Sequence, residues 1–308
     1  MGPVHRVKTE VLDVAYVTVG PAEGQAVMLL HGFPYDVHSY ERVAPLLAQA
    51  GLRVIVPYLR GHGATRSLGG SAARSGEQAA LGSDVIELLD ALGIDSAVLA
   101  GYDWGARAAC VAAALWPSRC TGLVSVNSYL IQDLTAANQP LPAALEAGFW
   151  YFWYFATVRG ENALRSNPRG IAEVIWLRNS PAWNFDEQTL ARAAEAFDNA
   201  DYADVVLHSY RHRLGLAGGH PRYAAVQAAL TALPVITVPT VTIDGLADGN
   251  FPATDAGVAA AHFTGPRVHM HVADAGHNLP QEAPHAFADA VREVLDLARA
   301  GQRHRTVD

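Results

Sequence analysis

The chain has 308 residues, half of them hydrophobic and 17% charged, with a formal net charge of -8. That length allows one large core with an inserted subdomain. The acidic balance offers no basic field for nucleic acid or an anionic membrane surface, and a small neutral or weakly polar molecule is the better partner. Two cysteines, Cys110 and Cys120, are too few for a disulfide framework and read as free, buried thiols. No segment reaches the roughly 18 consecutive apolar residues of a membrane span, and no basic-then-apolar leader opens the chain, so a cytoplasmic location is expected. The oligomeric state, a homodimer included, stays open.

Short apolar runs alternate with stretches of helical period. Residues 27–30 predict a strand, 40–50 a helix, 53–56 a strand, and 82–92 a helix with Val85, Leu88, Leu89 and Leu92 on one face. A strand at 97–100, a helix at 106–115 and a strand at 123–126 continue the rhythm. Strands separated by helices imply right-handed crossovers and a mostly parallel sheet covered on both faces, which is the α/β class. From about 133 to 232 the chain is helix-like, aromatic-rich and without strand runs. The rhythm resumes with strands at 241–243 and 268–272 and a closing helix from about 282 to 300. The expected organisation is therefore a core made of 1–132 and 233–308, with 133–232 inserted as a helical cap that would exclude water from the sheet edge. Residues 301–308 are polar and predict a frayed end.

Between the strand at 97–100 and the helix at 106–115 lies Gly101-Tyr102-Asp103-Trp104-Gly105. Small-x-nucleophile-x-small at that place is the pattern of a nucleophile elbow, a strained turn that presents one side chain at the carboxyl edge of a sheet. Asp103 has no hydroxyl to acylate, but a carboxylate can attack an sp3 carbon and remain as an ester. The chemistry expected is alkyl transfer to Asp103 followed by hydrolysis, as in epoxide opening or carbon–halogen cleavage. An oxyanion hole is available from the backbone N–H of Phe33, in His31-Gly32-Phe33-Pro34 after the first predicted strand, and from that of Trp104. His277, in the loop between the last strand and the last helix, is the candidate base for water. Its position after nucleophile and acid selects it among 13 histidines. Asp248, just after the strand at 241–243, is the candidate partner of His277. Asp244 reads as a turn or packing residue, and Asp274 sits too close to His277 in one loop. At the end of the strand after the elbow helix, an alternative acid position holds Asn127.

HGFP at 31–34, Arg60-Gly61-His62-Gly63, the GYDWG elbow, Asp248 and Gly276-His277 with Glu282 and Pro284 beyond together resemble the epoxide hydrolase and haloalkane dehalogenase branch of the α/β-hydrolases. The resemblance spans nearly the whole chain. It implies two cap tyrosines that donate to the epoxide oxygen, one early in the cap and one late in a Tyr-Arg context. Tyr151, within the aromatic run at 149–155, and Tyr210 match these positions, with Tyr154 as the alternative first donor. Trp104, Trp150, Trp153 and Tyr154 would line the substrate site. An apolar or aryl-bearing epoxide is the implied substrate and a vicinal diol the product.

A dehalogenase on the same scaffold needs N–H donors for halide. Trp104 could supply one, but an asparagine in place of Phe33 is absent, so the second would have to be Trp150 or Trp153. A fluoroacetate-cleaving relative would carry arginines one and four residues after the aspartate, and only Arg107 matches. A non-catalytic ligand-binding homologue is the remaining alternative. The chain departs from the family pattern at Tyr58, where an aspartate is usual, and at Tyr102, where histidine is common. His208 and His212 flank Tyr210 and read as exposed helix residues. His269 and His271 alternate on one strand face and, with no third ligand in sight, read as surface residues rather than a metal site. No cofactor motif occurs and no metal is expected.

Overall fold

The computed structural model describes residues 1–305. Its sheet contains β1 (Val4–Lys8), β2 (Leu12–Val19), β3 (Ala26–Leu30), β4 (Arg53–Pro57), β5 (Arg66–Ser67), β6 (Ala97–Gly101), β7 (Cys120–Val126), β8 (Thr240–Gly245) and β9 (Arg267–Val272). The order is β1-β2-β4-β3-β6-β7-β8-β9, with β5 added to β2. From β4 to β9 every pairing is parallel, whereas β1, β2 and β5 pair antiparallel. β3, β6 and β8 are buried at every position; β3 and β6 therefore read as apolar runs, whereas β8 alternates Val241 and Ile243 with Thr240, Thr242 and Asp244. The β1–β2 hairpin was not expected from the sequence. β1 is an exposed edge and has no apolar face to announce it.

The crossover helices are α1 (Val43–Gln49), α2 (Gln78–Ala91) and α3 (Asp103–Leu115), with α11 (Leu279–Glu282) and α12 (Pro284–Arg305) closing the fold. α3 packs on α2 and on β3, β6 and β7, and α12 packs on α1, β7 and β8. The helix expected at 40–50 is a 3-10 turn, Val37–Tyr40, followed by α1. The closing helix begins later than expected because Pro284 separates it from α11; Pro is tolerated at the first helical position, where its missing N–H has no partner to lose. Residues 301–305 continue α12 rather than fraying, and 306–308 lie outside the described residues.

Between β7 and β8 the chain forms α4 (Ala143–Gly148), α5 (Trp150–Phe155), α6 (Val158–Ser166), α7 (Pro168–Asn179), α8 (Glu187–Ala194), α9 (Tyr202–Arg213) and α10 (Ala224–Leu230), and adds no strand to the sheet. Among the described residues no helix is long and apolar enough to cross a membrane.

Candidate active site

Asp103 sits at the junction of β6 and α3 with φ of +50°. A non-glycine residue in that region costs on the order of 1–3 kcal/mol and persists only where its surroundings enforce it. The glycines around it supply the enforcement. A Cβ on Gly105 would lie 1.9 Å from the Leu30 carbonyl oxygen, and one on Gly101 would lie 2.5 Å from the Gly105 carbonyl carbon. Only glycine lets α3 start this close to β3 and β6. Gly32 allows the other approach, since a Cβ there would be 2.5 Å from Asp103 Cβ.

The Asp103 carboxylate is buried, 8% exposed, and its Oδ1 accepts the Phe33 N–H at 2.8 Å. Trp104 N–H, the other expected donor, lies in the first turn of α3, where helical N–H groups have no intrahelical partner. Asp103 Oδ2 faces His277 Nε2 at 3.6 Å, too long for a hydrogen bond, and Nε2 has no other partner among the described residues. His277 is fully buried and its Nδ1 pairs with Asp248 Oδ2 at 2.9 Å. Asp248 is held in turn: its Oδ1 accepts the N–H groups of Asn250 and Phe251, both at 2.8 Å, and Asn127 Nδ2 donates to Oδ2 at 3.3 Å. Asp244 points elsewhere, its Oδ2 accepting the Thr254 N–H and hydroxyl.

Charge at the site follows from these contacts. Burial acts to deprotonate His277, but Asp248 and Asp103 outweigh it and raise its pKa to about 10. Burial acts to protonate Asp103; His277, Arg213 and the Phe33 N–H outweigh it and hold the carboxyl below its ordinary value. The resting site is an imidazolium between two carboxylates.

Tyr151 and Tyr210 converge from α5 and α9, ring centroids 5.3 Å apart, and both pack on Phe33. Burial raises both phenols well above the usual tyrosine range, so they stay protonated. Each hydroxyl accepts a hydrogen bond, Tyr151 from Asn250 Nδ2 at 3.3 Å and Tyr210 from Trp104 Nε1 at 3.2 Å. Neither donates to another described side chain, so both O–H protons remain available. On α5 Tyr151 shares the buried face with Phe155. Tyr154 is half-buried and lies tilted against Trp150, with ring centroids 5.7 Å apart, and so is the less suitable donor. Trp153 is exposed; its Nε1 donates to Glu146, and it lines a cavity of about 810 Å³ with Phe149, Phe152 and Phe251. Two of its lining rings reach the site, Phe251 stacking on His277 and Phe152 packing on Tyr210.

Further residues support this arrangement. Glu282 accepts the Ser180 hydroxyl and the N–H groups of Gly276 and Asn278, bracketing His277. The Asn179 carbonyl at the end of α7 accepts both Gly249 N–H and His277 N–H, tying the two loops together. His31 and His62 are buried and neutral, desolvation lowering their pKa values to about 3 and 4. Arg60 is structural, paired through two N–H groups with Asp84 and bonded to Tyr223. His212 is buried rather than exposed, and His208 Nδ1 accepts the Gly76 N–H. Arg107 is buried against the Leu130 carbonyl.

Residues 25–284 match the family described as alpha/beta hydrolase fold. The chain belongs to that family. Epoxide hydrolase A of Mycobacterium tuberculosis (strain ATCC 25618 / H37Rv) is 28% identical over 314 residues, covering 94% of this chain and 96% of its own. A crystal structure from Klebsiella pneumoniae subsp. pneumoniae MGH 78578, assigned provisionally as an epoxide hydrolase, is 47% identical with a TM-score of 0.92, covering 96% of this chain and 97% of its own. Epoxide Hydrolase A from Mycobacterium thermoresistibile, 23% identical over 96% of this chain and 98% of its own with a TM-score of 0.71, shares the fold.

Proposed function

We propose that the protein is an epoxide hydrolase that forms a covalent ester on Asp103. The observation that carries this reading is a buried carboxylate on the elbow, in line with His277 and Asp248, beneath two protonated phenols with uncommitted O–H groups. Asp103 attacks one ring carbon as the carbon–oxygen bond breaks, and Tyr151 and Tyr210 donate to the departing oxygen, a poor leaving group without a proton. The phenolate left by ring opening is reprotonated by the resting imidazolium, and His277, now neutral, takes a proton from water, whose oxygen adds to the Asp103 carboxyl carbon. The oxygen that becomes negative in this step is the one bonded to Phe33 N–H, with Trp104 N–H beside it. Collapse of the adduct regenerates Asp103 and releases a vicinal diol.

The engagement of Trp104 Nε1 by Tyr210 favours epoxide over halide, because that indole N–H is already committed. Phe33, Phe155, Tyr202 and the aromatic cavity wall suit an apolar or aryl-bearing epoxide. The test is intact-protein mass spectrometry of the His277→Gln variant incubated with panels of epoxides and of haloalkanes. The expected result is a stable adduct equal in mass to a whole epoxide. An adduct equal to a haloalkane less its hydrogen halide would make the protein a dehalogenase, and no adduct with either would support the ligand-binding alternative.

A further inference from the structure

The pairing of β8 with β9 sets Thr242 opposite His269 and Asp244 opposite His271. Residues two apart on a strand share a face, so all four side chains stand on one side of the sheet. Among the described residues Asp244, His269 and His271 form the one group of three whose ligand atoms all lie within 4.8 Å of one another. β9 itself holds no third ligand; the register of the adjacent strand brings Asp244 to His269 and His271.

We propose that Asp244, His269 and His271, with the Thr254 carbonyl, bind a divalent transition-metal ion of the Zn²⁺ type. The two Nε2 atoms lie 3.0 Å apart and each is 2.8 Å from Thr254 O. Metal–nitrogen bonds of about 2.0–2.1 Å put tetrahedral ligands about 3.3 Å apart, so this triangle needs to open only slightly to form one face of a coordination shell. Without an ion both rings can still donate to Thr254 O. Asp244 is only half satisfied: it is 1% exposed, its Oδ2 is bonded to Thr254, and its Oδ1 is buried with no partner among the described residues. An unmet buried acceptor is costly, and a cation answers it.

The surroundings also fit. Thr242 Oγ1 lies 2.8 Å from His269 Nδ1, the outer contact that fixes a ligating imidazole with Nε2 free for the metal. His271 is exposed, which gives an entry path and room for a water ligand. Two imidazoles with oxygen donors suit Zn²⁺, Co²⁺ or Ni²⁺ rather than Mg²⁺ or Ca²⁺. Asp244 and Thr254 bracket the loop that carries Asp248, Asn250 and Phe251, so the ion would clamp both ends of the segment that holds the acid. Its role there is to brace the loop, with no part in bond making.

Untagged protein is stripped with chelator, dialysed and titrated with Zn²⁺ by isothermal calorimetry, with Tm followed in parallel. One ion per chain and a rise in Tm are expected. Affinity should fall roughly 10-fold to 100-fold in Thr242→Val, which removes only the outer contact, and further in His269→Ala/His271→Ala, whose circular dichroism checks folding. The proposal is overturned by no stoichiometric uptake in the unmodified protein, by equal affinity in the double histidine variant, or by Mg²⁺ binding as tightly as Zn²⁺.

Discussion

His277 is the residue whose state must change during turnover. With Asp248 at 2.9 Å and Asp103 at 3.6 Å it is held as an imidazolium, and an imidazolium cannot take a proton from water. Alkylation of Asp103 turns one of those two carboxylates into a neutral ester. Half of the charge that holds the proton then disappears, and His277 becomes a base at the step that needs one. Asp103→Asn reproduces that loss of charge without substrate. The His277 pKa should then fall from about 10 towards its ordinary value by at least about one unit, read by NMR titration of the imidazole. An unchanged titration would show that Asp248 alone sets the protonation and would remove this account of base activation.

At the scale of elements, the helices between β7 and β8 supply what the sheet edge lacks. α5 and α9 bring Tyr151 and Tyr210 together against Phe33, whose N–H bonds Asp103, and the end of α7 ties the Asp248 and His277 loops through one carbonyl. If the two phenols act as acids, changing either to Phe should lower kcat/KM for an epoxide by about 10²-fold, and the double variant should stop ring opening. Full activity in the double variant would sink the epoxide reading. The central strands and the elbow were legible in the sequence because buried parallel strands are continuous apolar runs and because closely packed turns demand glycine at 101 and 105. The relative order of Asp103, Asp248 and His277 was legible for the same reason, each following a strand. The β1–β2 hairpin was not, since its exposed edge lacks a pattern. Nor could an all-aromatic α5 say which of its rings turns inward, because periodicity needs polar residues to contrast with apolar ones. Asn179 and the Asp244 partner of His269 and His271 depend on contacts between distant segments, which spacing along one chain does not encode.

For the whole molecule, the histidine that serves the site also shapes stability. His277 has a folded pKa of about 10 against 6.5 for the free side chain. Between those values the native state holds a proton that the unfolded chain has released, so stability falls as pH rises. The contribution is complete below 6.5 and lost through 10. On the acid side His31 and His62, neutral in the fold with values near 3 and 4, act in the opposite sense: stability falls as pH drops below 6.5, mixed there with carboxylates shifted both ways. Above about 9 the buried cysteines and tyrosines add their own loss, since burial raises Cys110, Cys120 and Tyr102 in the native state. Between 7 and 9 His277 is the largest contributor; the raised His38 acts in the same sense, and Arg107, lowered by burial to about 9, begins to act in the opposite one near the top of the interval. At about 1.4 kcal/mol per pH unit for a single proton, urea denaturation should show roughly 2 kcal/mol lost across that interval. In His277→Gln most of that slope should vanish, leaving a nearly flat profile. An equal slope in the variant would mean that His277 is neutral in the resting protein, and the charge switch on alkylation would have nothing to act on.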